Sequence, residues 1–279
     1  MPLPRARKSL GQHFLTDPRI LERIVAALAP APGDLVVEIG AGTGTLTRVL
    51  ASRVGQVVAI EKDRRLAAEC GWRMADGGWH NVHIVNGDAL TLDWSRLAPQ
   101  SSIRNPPFKV CGNIPYNLTS PLLDRVVTLH PAPECVVFLV QAEVADRLGA
   151  APGSKAYGGL SVGIQSQYGV EKLFTVRAGA FTPPPRVHSA VIRLRPRAAP
   201  LVEPAEIAPF RTFVTACFSR RRKQLGTSMR SIRGGLPAEI DAGLRGLGID
   251  PAARAETLAP EVFVRLWRWV LASKGPIVK

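Results

Sequence analysis

Val36-Val-Glu-Ile-Gly-Ala-Gly-Thr-Gly44 is the stretch that decides the fold of this chain. Its apolar first half predicts a short buried strand that begins at Leu35, and residues 43–52 have the apolar spacing of a helix. The glycines between them predict a turn in which the backbone approaches a ligand closely, because no side chain stands in the way. Enzymes that bind NAD have a similar loop, and so does a plain strand-to-helix turn, so the motif alone leaves the ligand open.

Strands and helices alternate on both sides of this loop. A helix is predicted over residues 17–28, where Asp17 can cap it and Pro18 fits its first turn. Another helix is predicted over residues 64–74, and buried strands are predicted over residues 56–60, 82–85, 108–111 and 135–140. This alternation indicates an α/β fold with a parallel, doubly wound, Rossmann-like sheet. Two later strands are predicted at one end of the sheet, over residues 168–177 and 189–194.

A proline-bearing linker at residues 195–200 separates two sequence patterns. Before it strands alternate with helices, whereas after it helix follows helix with no strand candidate. We therefore predict a large α/β domain over residues 1–197 and a smaller α-helical domain over residues 198–279. A chain of 279 residues is long enough for one large and one small domain.

The chain is strongly basic, with a net charge of +14, and much of the charge lies in one part of the sequence. Residues 186–233 contain eleven Lys and Arg residues and two acidic residues, which amounts to +9. Such clustering favours a polyanionic partner, above all a nucleic acid. The run Arg220, Arg221, Arg222 and Lys223 is predicted to lie in an apolar helix over residues 210–225 and to present one charged face to RNA phosphates. A solvated helix face is the alternative.

Other features of the composition argue against several protein classes. No run of about 18 apolar residues occurs, so no membrane span is predicted. The N-terminus lacks the apolar stretch of a signal peptide. The four cysteines lie far apart, without the spacing of zinc ligands or of a redox pair. We interpret them as buried thiols of a cytoplasmic protein, and no metal site is predicted.

Three carboxylates stand at the ends of the first three predicted sheet strands. Glu38 precedes the first glycine by two residues, where a dinucleotide fold would have an apolar residue. Glu61 can accept hydrogen bonds from both hydroxyls of a ribose, and Asp88 can receive an adenine amino group. A site this rich in carboxylates suits a sulfonium and an ammonium group better than a pyrophosphate. The pattern favours S-adenosylmethionine over NAD, although each acid alone could be a surface charge.

Asn113-Ile-Pro-Tyr116 follows the fourth predicted strand and has the form Asn-x-Pro-aromatic. The exocyclic amine of adenine is a poor nucleophile because its lone pair is delocalised into the ring. The side-chain oxygen of Asn113 and the carbonyl of Ile114 could accept hydrogen bonds from both N–H groups and hold the nitrogen in line with a methyl donor. Pro115 fixes the turn, and the Tyr116 ring can stack on the base. A structural turn after a strand is the alternative.

Asn105-Pro-Pro-Phe108 matches the amino-methyltransferase pattern more literally. However, it precedes the fourth strand, and active-site loops of such sheets lie at the carboxyl ends of strands. We therefore interpret Asn105 as a loop residue and Asn113 as the catalytic one.

Together these residues resemble the bacterial ribosomal RNA small subunit methyltransferase A family, the adenine dimethyltransferases. The resemblance covers nearly the whole chain. Besides the motifs above, it rests on residues 8–17, 141–148, 157–161, 181–190, 217–225 and 248–256. The last two segments matter most, because the related 23S ribosomal RNA dimethyltransferases share Asn-x-Pro-Tyr but usually lack them.

The resemblance implies a class I methyltransferase domain followed by a helical RNA-binding domain. It implies contacts to S-adenosylmethionine by His13, Leu15, Gly40, Gly42, Glu61, Asp88 and Asn113. It also implies that Phe181 stacks on the target adenine opposite Tyr116. The prolines after Phe181 favour an exposed, rigid loop, and a core aromatic is the alternative. The chain departs from the family at Ala41, where proline is common, and at His13, where asparagine is frequent.

The predicted function is transfer of methyl groups from S-adenosylmethionine to N6 of two adjacent adenines near the 3′ end of 16S rRNA. The predicted partner is that RNA in the 30S subunit or its precursor, and the enzyme is expected to be a cytoplasmic monomer. A 23S rRNA dimethyltransferase and a ribosome assembly factor with incidental methylation are alternatives. A DNA adenine methyltransferase is disfavoured because no target-recognition insert is recognisable.

Overall fold

The computed structural model describes residues 6–7, 11–94, 97, 108–220 and 223–273. The strands are β1 Phe14–Leu15, β2 Leu35–Ile39, β3 Gln56–Glu61, β4 Val82–Asn86, β5 Phe108–Asn113, β6 Cys135–Gln141, β7 Tyr168–Val176, β8 Phe181–Thr182 and β9 Ser189–Pro196. The helices are α1 Pro18–Ala27, α2 Thr45–Ala51, α3 Arg64–Asp76, α4 Thr119–Val127, α5 Ala142–Leu148, α6 Gly159–Gln165, α7 Ile207–Ser219, α8 Leu225–Arg233, α9 Pro237–Gly246 and α10 Pro260–Ser273.

Seven strands form one sheet in the order β4-β3-β2-β5-β6-β9-β7. β2 lies between β3 and β5 and is parallel to both, and β4 and β6 continue the parallel pairing on either side. β9 is antiparallel to β6, and β7 lies at the edge beside it. The predicted doubly wound α/β sheet is therefore confirmed, with the two late strands at one end. β5 continues two residues beyond the predicted strand, so Asn113 is its last residue.

The central strands are buried along nearly their whole length because helices cover the sheet. Every residue of β2 is buried, as is every residue of β3 after Gln56. This explains why these strands are continuous apolar runs and do not alternate with polar residues. α1 begins where predicted, because the Asp17 carboxylate accepts hydrogen bonds from the backbone N–H groups of Arg19 and Ile20 at 2.9 and 3.3 Å.

A separate two-stranded ribbon, formed by β1 and β8, was not predicted from the sequence. The strands are antiparallel, with Phe14 opposite Thr182 and Leu15 opposite Phe181. The side chains of Leu15 and Phe181 are each 3% exposed and belong to the apolar core of the sheet. The ribbon therefore attaches residues near the N-terminus to a segment more than 160 positions later in the chain.

The chain divides into two compact units, and the second is not continuous in sequence. The first comprises residues 1–145 and 169–196, and the second comprises residues 146–168 and 197–279. Residues 146–168 join the helical unit because Tyr157 is fully buried there and its hydroxyl donates to the carbonyl of Leu258 at 2.9 Å. The predicted domains, 1–197 and 198–279, differ from this division by that segment and by Arg197.

The helix predicted over residues 210–225 is interrupted, and that prediction was wrong. α7 ends at Ser219, Arg220 leaves the helical conformation with φ −116° and ψ 45°, and α8 begins only at Leu225. Four consecutive residues encircle a helix of 3.6 residues per turn, so they could not share one charged face. Arg220 and Lys223 are exposed in the connection, and Arg221 and Arg222 lie outside the described residues.

Two of the remaining expectations can be compared with the described part of the chain. No helix in it is long and apolar enough to cross a bilayer. All four cysteines are free and buried, as predicted.

A buried ion pair supports the middle of the sheet. Lys109 points from β5 into the interior, is 4% exposed, and donates from Nζ to the Asp34 carboxylate at 2.8 Å and to the carbonyl of Ala29 at 2.7 Å. Asp34 also accepts a hydrogen bond from the backbone N–H of Ala31 at 2.7 Å. The ammonium group is thus compensated by a charge and by a carbonyl, and the loop before β2 is attached to β5.

We predict that Asp34→Ala lowers the free energy of unfolding by about 3 kcal/mol, because it leaves a buried ammonium group without its counter-ion. Urea unfolding measures the loss. The double variant Asp34→Ala/Lys109→Met should regain much of the stability, since no charge then remains buried. A loss below about 1 kcal/mol for the single variant would contradict the role given to the pair.

Candidate active site

A cavity lies at the carboxyl ends of β2, β3 and β5 in the sheet-containing unit. Parallel strands end at the same edge of a sheet, which is where ligands bind in such folds. Nine residues predicted to form the site line the cavity: His13, Gly40, Gly42, Glu61, Asp88, Asn113, Ile114, Pro115 and Tyr116. The structure thus brings together residues that are up to 103 positions apart in sequence.

The turn after β2 is held against the end of β3. The backbone N–H groups of Gly40 and Ala41 both donate to the carbonyl of Ile60, at 2.8 and 3.2 Å. Gly40 has φ 77°, which side chains rarely allow, and a Cβ there would lie 3.4 Å from the carbonyl oxygen of Asn113. Glycine is therefore needed at this position both for its conformation and for the close approach of β5.

Glu61 is fixed by the backbone on both of its oxygens. Oε2 accepts from the N–H of Gly42 and Oε1 accepts from the N–H of Asp63, each at 2.8 Å. The residue is 7% exposed, and burial raises the pKa of its carboxyl while these N–H donors oppose the rise. Each oxygen retains a lone pair, so a pre-oriented carboxylate at the cavity wall can accept further hydrogen bonds from hydroxyl groups.

Asp88 follows β4, the strand next to β3, and also lines the cavity. Its Oδ2 accepts from Nζ of Lys62 at 2.7 Å, and its Oδ1 accepts from the N–H of Leu90 at 3.0 Å. The Lys62 hydrogen bond, followed by that of Leu90, holds the pKa of this carboxyl below its usual range. Asp88 is therefore ionised at neutral pH and can accept a hydrogen bond from an amino group.

The orientation of the Asn113 side chain follows from its partner. Nδ2 donates to the backbone carbonyl of His13 at 2.8 Å, and a carbonyl can only accept, so the amide nitrogen must face His13. The amide oxygen is the group left to accept from a ligand in the cavity. Ile114 follows Asn113 and also lines the cavity. Its N–H donates to the carbonyl of Leu139 in β6 at 3.1 Å, which fixes the turn after β5.

Tyr116 presents its ring beside Asn113. Its hydroxyl is hydrogen-bonded to the hydroxyl of Ser189 at 2.7 Å, and burial raises the pKa of the phenol. The ring is therefore held at both ends, by Pro115 in the turn and by Ser189 at the start of β9. His13 stacks against it, with ring centroids 5.8 Å apart and an angle of 27° between the planes.

Two predicted site residues lie elsewhere. The side chains of Leu15 and Phe181 are in the core beneath the β1–β8 ribbon and do not line the cavity. The expected exposure of Phe181 was wrong: antiparallel pairing opposite Leu15 turns its ring inward. Its stacking on an adenine stays a prediction. Lys8, Ser9 and Leu10 of the N-terminal motif, and Asn105, lie outside the described residues.

Gln12, Phe14 and Lys62 are among the cavity residues that sequence reasoning missed. Phe14 lies over the glycine turn, with ring atoms 3.6 Å from where a Cβ of Gly42 would be. Gln12 lines the cavity and donates to the Asp63 carboxylate at 3.4 Å. Lys62 binds Asp88. Gln12 and Phe14 could have been predicted because they are neighbours of His13 in the sequence. Lys62 could have been predicted because it follows Glu61.

Glu38 is the most buried acid of the site and lies under the glycine turn. It is 1% exposed, and Oε2 has no hydrogen-bond partner within the described part of the chain. Burial first, and the neighbouring Glu61 carboxylate second, raise the pKa of Glu38 to about 7, against an opposing hydrogen bond from Thr47. Glu38 is thus partly protonated at neutral pH, which limits the repulsion between the two carboxylates.

Comparison with known proteins gives a consistent result. Residues 4–271 match the family model described as ribosomal RNA adenine dimethylase. Ribosomal RNA small subunit methyltransferase A of Acidithiobacillus ferrooxidans is 44% identical over 264 residues, which cover 95% of this chain and 94% of that protein. The protein of the same name from Geobacter sulfurreducens is 40% identical and covers 98% of both chains.

Two solved structures resemble the whole fold. A dimethyladenosine transferase from Plasmodium falciparum has a TM-score of 0.78 and 26% identity, covering 91% of this chain and 96% of its own. The 23S rRNA methyltransferase ErmE has a TM-score of 0.69 and 30% identity, covering 92% of this chain and 99% of its own.

Glu38 provides a pH-dependent test of the site. The pKa of Glu38 is raised to about 7 from its ordinary value of 4.5, so between pH 4.5 and pH 7 the folded chain holds a proton that the unfolded chain has released. The contribution of Glu38 to the free energy of unfolding is therefore fully present below about pH 4.5 and is lost as the pH rises through 7.

We predict that Glu38→Gln gains stability relative to the wild type by about 2 kcal/mol when the pH is raised from 5.5 to 8, because Gln has no proton to lose. Urea unfolding of both proteins at the two pH values measures this difference. Asp76→Asn, a change at an exposed carboxylate, is the control. A stability difference that does not change with pH would show that Glu38 is ionised throughout the range.

Proposed function

This chain belongs to the ribosomal RNA adenine dimethylase family, and we propose that it transfers methyl groups from S-adenosylmethionine to N6 of two adjacent adenines near the 3′ end of 16S rRNA. The observation that carries the proposal is the orientation of Asn113. Its amide nitrogen is engaged by His13, so its oxygen is available to accept a hydrogen bond from the adenine amine. The curated relatives named small subunit methyltransferase A support the choice of RNA.

The residues present fit S-adenosylmethionine, which supplies an electrophilic methyl group on a sulfonium sulfur when bound. Gly40 and Gly42 leave room beside the strand ends, and we assign the ribose hydroxyls to Glu61 and the adenine amino group to Asp88. Both acids are positioned by backbone N–H groups. The ring of Phe14 lies beside the glycine turn, and we propose that its chain neighbours His13 and Leu15 contact the cofactor through their backbone. A site walled by carboxylates suits a cationic ligand.

The reaction requires orientation more than acid–base chemistry. Asn113 Oδ1 and the Ile114 carbonyl accept hydrogen bonds from the amine of the target adenine, which draws the nitrogen lone pair out of conjugation and aims it at the methyl group. Pro115 holds the turn, and Tyr116 stacks on the base. The Tyr116 phenol stays protonated, since burial raises its pKa, and therefore takes no part as a base.

We propose that the RNA partner is 16S rRNA in the 30S subunit or its precursor. We also propose that the enzyme acts on this RNA as a monomer in the cytoplasm. Arg220 and Lys223 are exposed at the turn between α7 and α8 and, with Arg221 and Arg222, are proposed to contact RNA phosphates. The likeness to ErmE makes 23S rRNA the competing substrate.

The test is incubation of the full chain with labelled S-adenosylmethionine and, separately, with undermethylated 30S and 50S particles, followed by mapping of the label. Dimethylated adenines in 16S rRNA alone support the proposal. Label in 23S rRNA, or in neither RNA, contradicts it.

We predict that Asn113→Ala lowers the rate of methyl transfer by about 100-fold or more, because one pre-oriented acceptor for the amine is lost. Single-turnover assays measure the rate, and calorimetry should show that cofactor affinity changes little. Asn117→Ala, at an exposed residue that does not line the cavity, is the matched control. A rate within tenfold of the wild type would remove Asn113 from the mechanism.

We predict that Glu61→Ala weakens binding of S-adenosylmethionine by about tenfold or more, because the ribose hydroxyls lose a charged acceptor. Calorimetry measures the affinity. The same variant should recover much of its rate at saturating cofactor. Unchanged affinity would place the ribose elsewhere in the cavity.

A further inference from the structure

Arg125 joins two elements that contribute to the cavity. It lies in α4, the helix that follows the turn from Asn113 to Tyr116, and it is half-buried. One terminal nitrogen of its guanidinium group, Nη1, donates to the carbonyl of Leu90 at 2.8 Å, and the other, Nη2, donates to the carbonyl of Leu92. Both carbonyls belong to the loop after β4. A single side chain of α4 thus binds the backbone of this loop at two points.

The loop after β4 forms part of the cavity wall, through Gly87, Asp88, Ala89 and Leu90. It is folded as a tight turn, because the carbonyl of Asp88 accepts from the N–H groups of Thr91 and Leu92 at 3.0 and 2.9 Å. Hydrogen bonds between such near neighbours fix the shape of a loop but not its position on the protein. The two hydrogen bonds from Arg125 fix that position against α4.

Trp94 adds a third contact at the far end of the loop. Its side chain is buried, and its Nε1 donates to the carbonyl of Ala89 at 2.9 Å. The guanidinium carbon of Arg125 lies 5.7 Å from the centre of the indole ring, which is within the range of a cation–π interaction. A guanidinium group suits this set of partners, because it is planar and carries five N–H donors in fixed directions.

The face of α4 that bears Arg125 also reaches the cavity. Leu122 lines the cavity together with the loop residues Ala89 and Leu90. Arg125 follows Leu122 by three positions, so the two side chains lie on one face of the helix. The hydrogen bonds of Arg125 therefore fix the separation between α4 and the loop in this part of the cavity.

Arg125 also acts on Asp88 through its charge. The pKa of the Asp88 carboxyl is lowered first by the hydrogen bond from Lys62 and then by that from the Leu90 N–H, and the positive charge of Arg125 adds a smaller effect in the same direction. Arg125 thus influences both the position and the ionisation of this carboxylate.

We propose that Arg125 is a positioning residue for the cofactor, which holds the loop after β4 against α4 and so places the Asp88 carboxylate to receive the adenine amino group of S-adenosylmethionine. The proposal rests on the function proposed above, which assigns that amino group to Asp88. It adds a residue that does not itself line the cavity. Loss of Arg125 should therefore lower the affinity for the cofactor and leave the methyl-transfer step unchanged.

The experiment measures by calorimetry the affinity of full-length Arg125→Ala for two ligands. One is S-adenosylhomocysteine, and the other is its analogue with hydrogen in place of the adenine amino group. The variant should bind the first ligand about tenfold more weakly than the wild type does, and the second within about twofold, because the second offers Asp88 no amino group. A general loosening of the cavity would weaken the binding of both ligands equally.

Two further variants accompany Arg125→Ala. Arg125→Lys keeps the charge but lacks the planar fork, so it should weaken the first ligand by only about threefold. Arg48→Ala, at an exposed arginine of α2 that does not line the cavity, is the control and should bind both ligands like the wild type. Thermal unfolding checks that each variant is folded, and if Arg125→Ala is not, Arg125→Lys carries the comparison of the two ligands.

Methylation of undermethylated particles provides a second readout. Arg125→Ala should raise the KM for S-adenosylmethionine about tenfold and keep kcat within about threefold of the wild type, because only binding of the cofactor is affected.

Three results would overturn the proposal: wild-type affinity of Arg125→Ala for S-adenosylhomocysteine, an equal loss of affinity for both ligands, or a loss of kcat that saturating cofactor does not restore. A wild type that binds both ligands equally would remove the assignment of Asp88, and the role of Arg125 with it. Failure of the proposed function is a different result, in which the wild type itself methylates no ribosomal adenine.

Discussion

The hydrogen bonds that join the turn after β2 to the end of β3 are the constraint on which the site depends. Gly40 N–H donates to the carbonyl of Ile60, and Gly42 N–H donates to the Glu61 carboxylate, each at 2.8 Å. The first bond needs a glycine in a left-handed conformation, and the second needs an acid at the end of the neighbouring strand. Because both are met, the turn and the carboxylate position each other.

The acids of the site differ in charge state because their surroundings differ. Asp88 is paired with Lys62 and stays ionised, while Glu38 is enclosed and has a pKa of about 7. Glu61 stands between these extremes, buried but supplied with two backbone donors. Three adjacent strand ends can therefore carry acids without accumulating three negative charges.

The β1–β8 ribbon explains why Phe181 is buried and why His13 lies at the cavity. By pairing Leu15 with Phe181 it places both side chains in the core, and it leaves their neighbours at the cavity. His13 and Pro183 meet at 2.8 Å for this reason, and the His13 carbonyl reaches the Asn113 amide. Gly11, Gln12 and His13 thus line the cavity, and the ring of Phe14 lies beside the glycine turn.

The sequence by itself determined the strands of the seven-stranded sheet, the glycine turn, and the acids and asparagine at the strand ends, because these depend on local periodicity and on the rule that parallel strands end together. Only the tertiary structure decided which way Phe181 faces, that residues 146–168 join the helical unit, and that the helix stops at Ser219. These outcomes depend on pairing between distant segments, such as Leu15 with Phe181 and Tyr157 with Leu258. Local sequence patterns do not identify such distant partners. The free energy that favours one pairing over another comes from packing that forms only when the chain is folded.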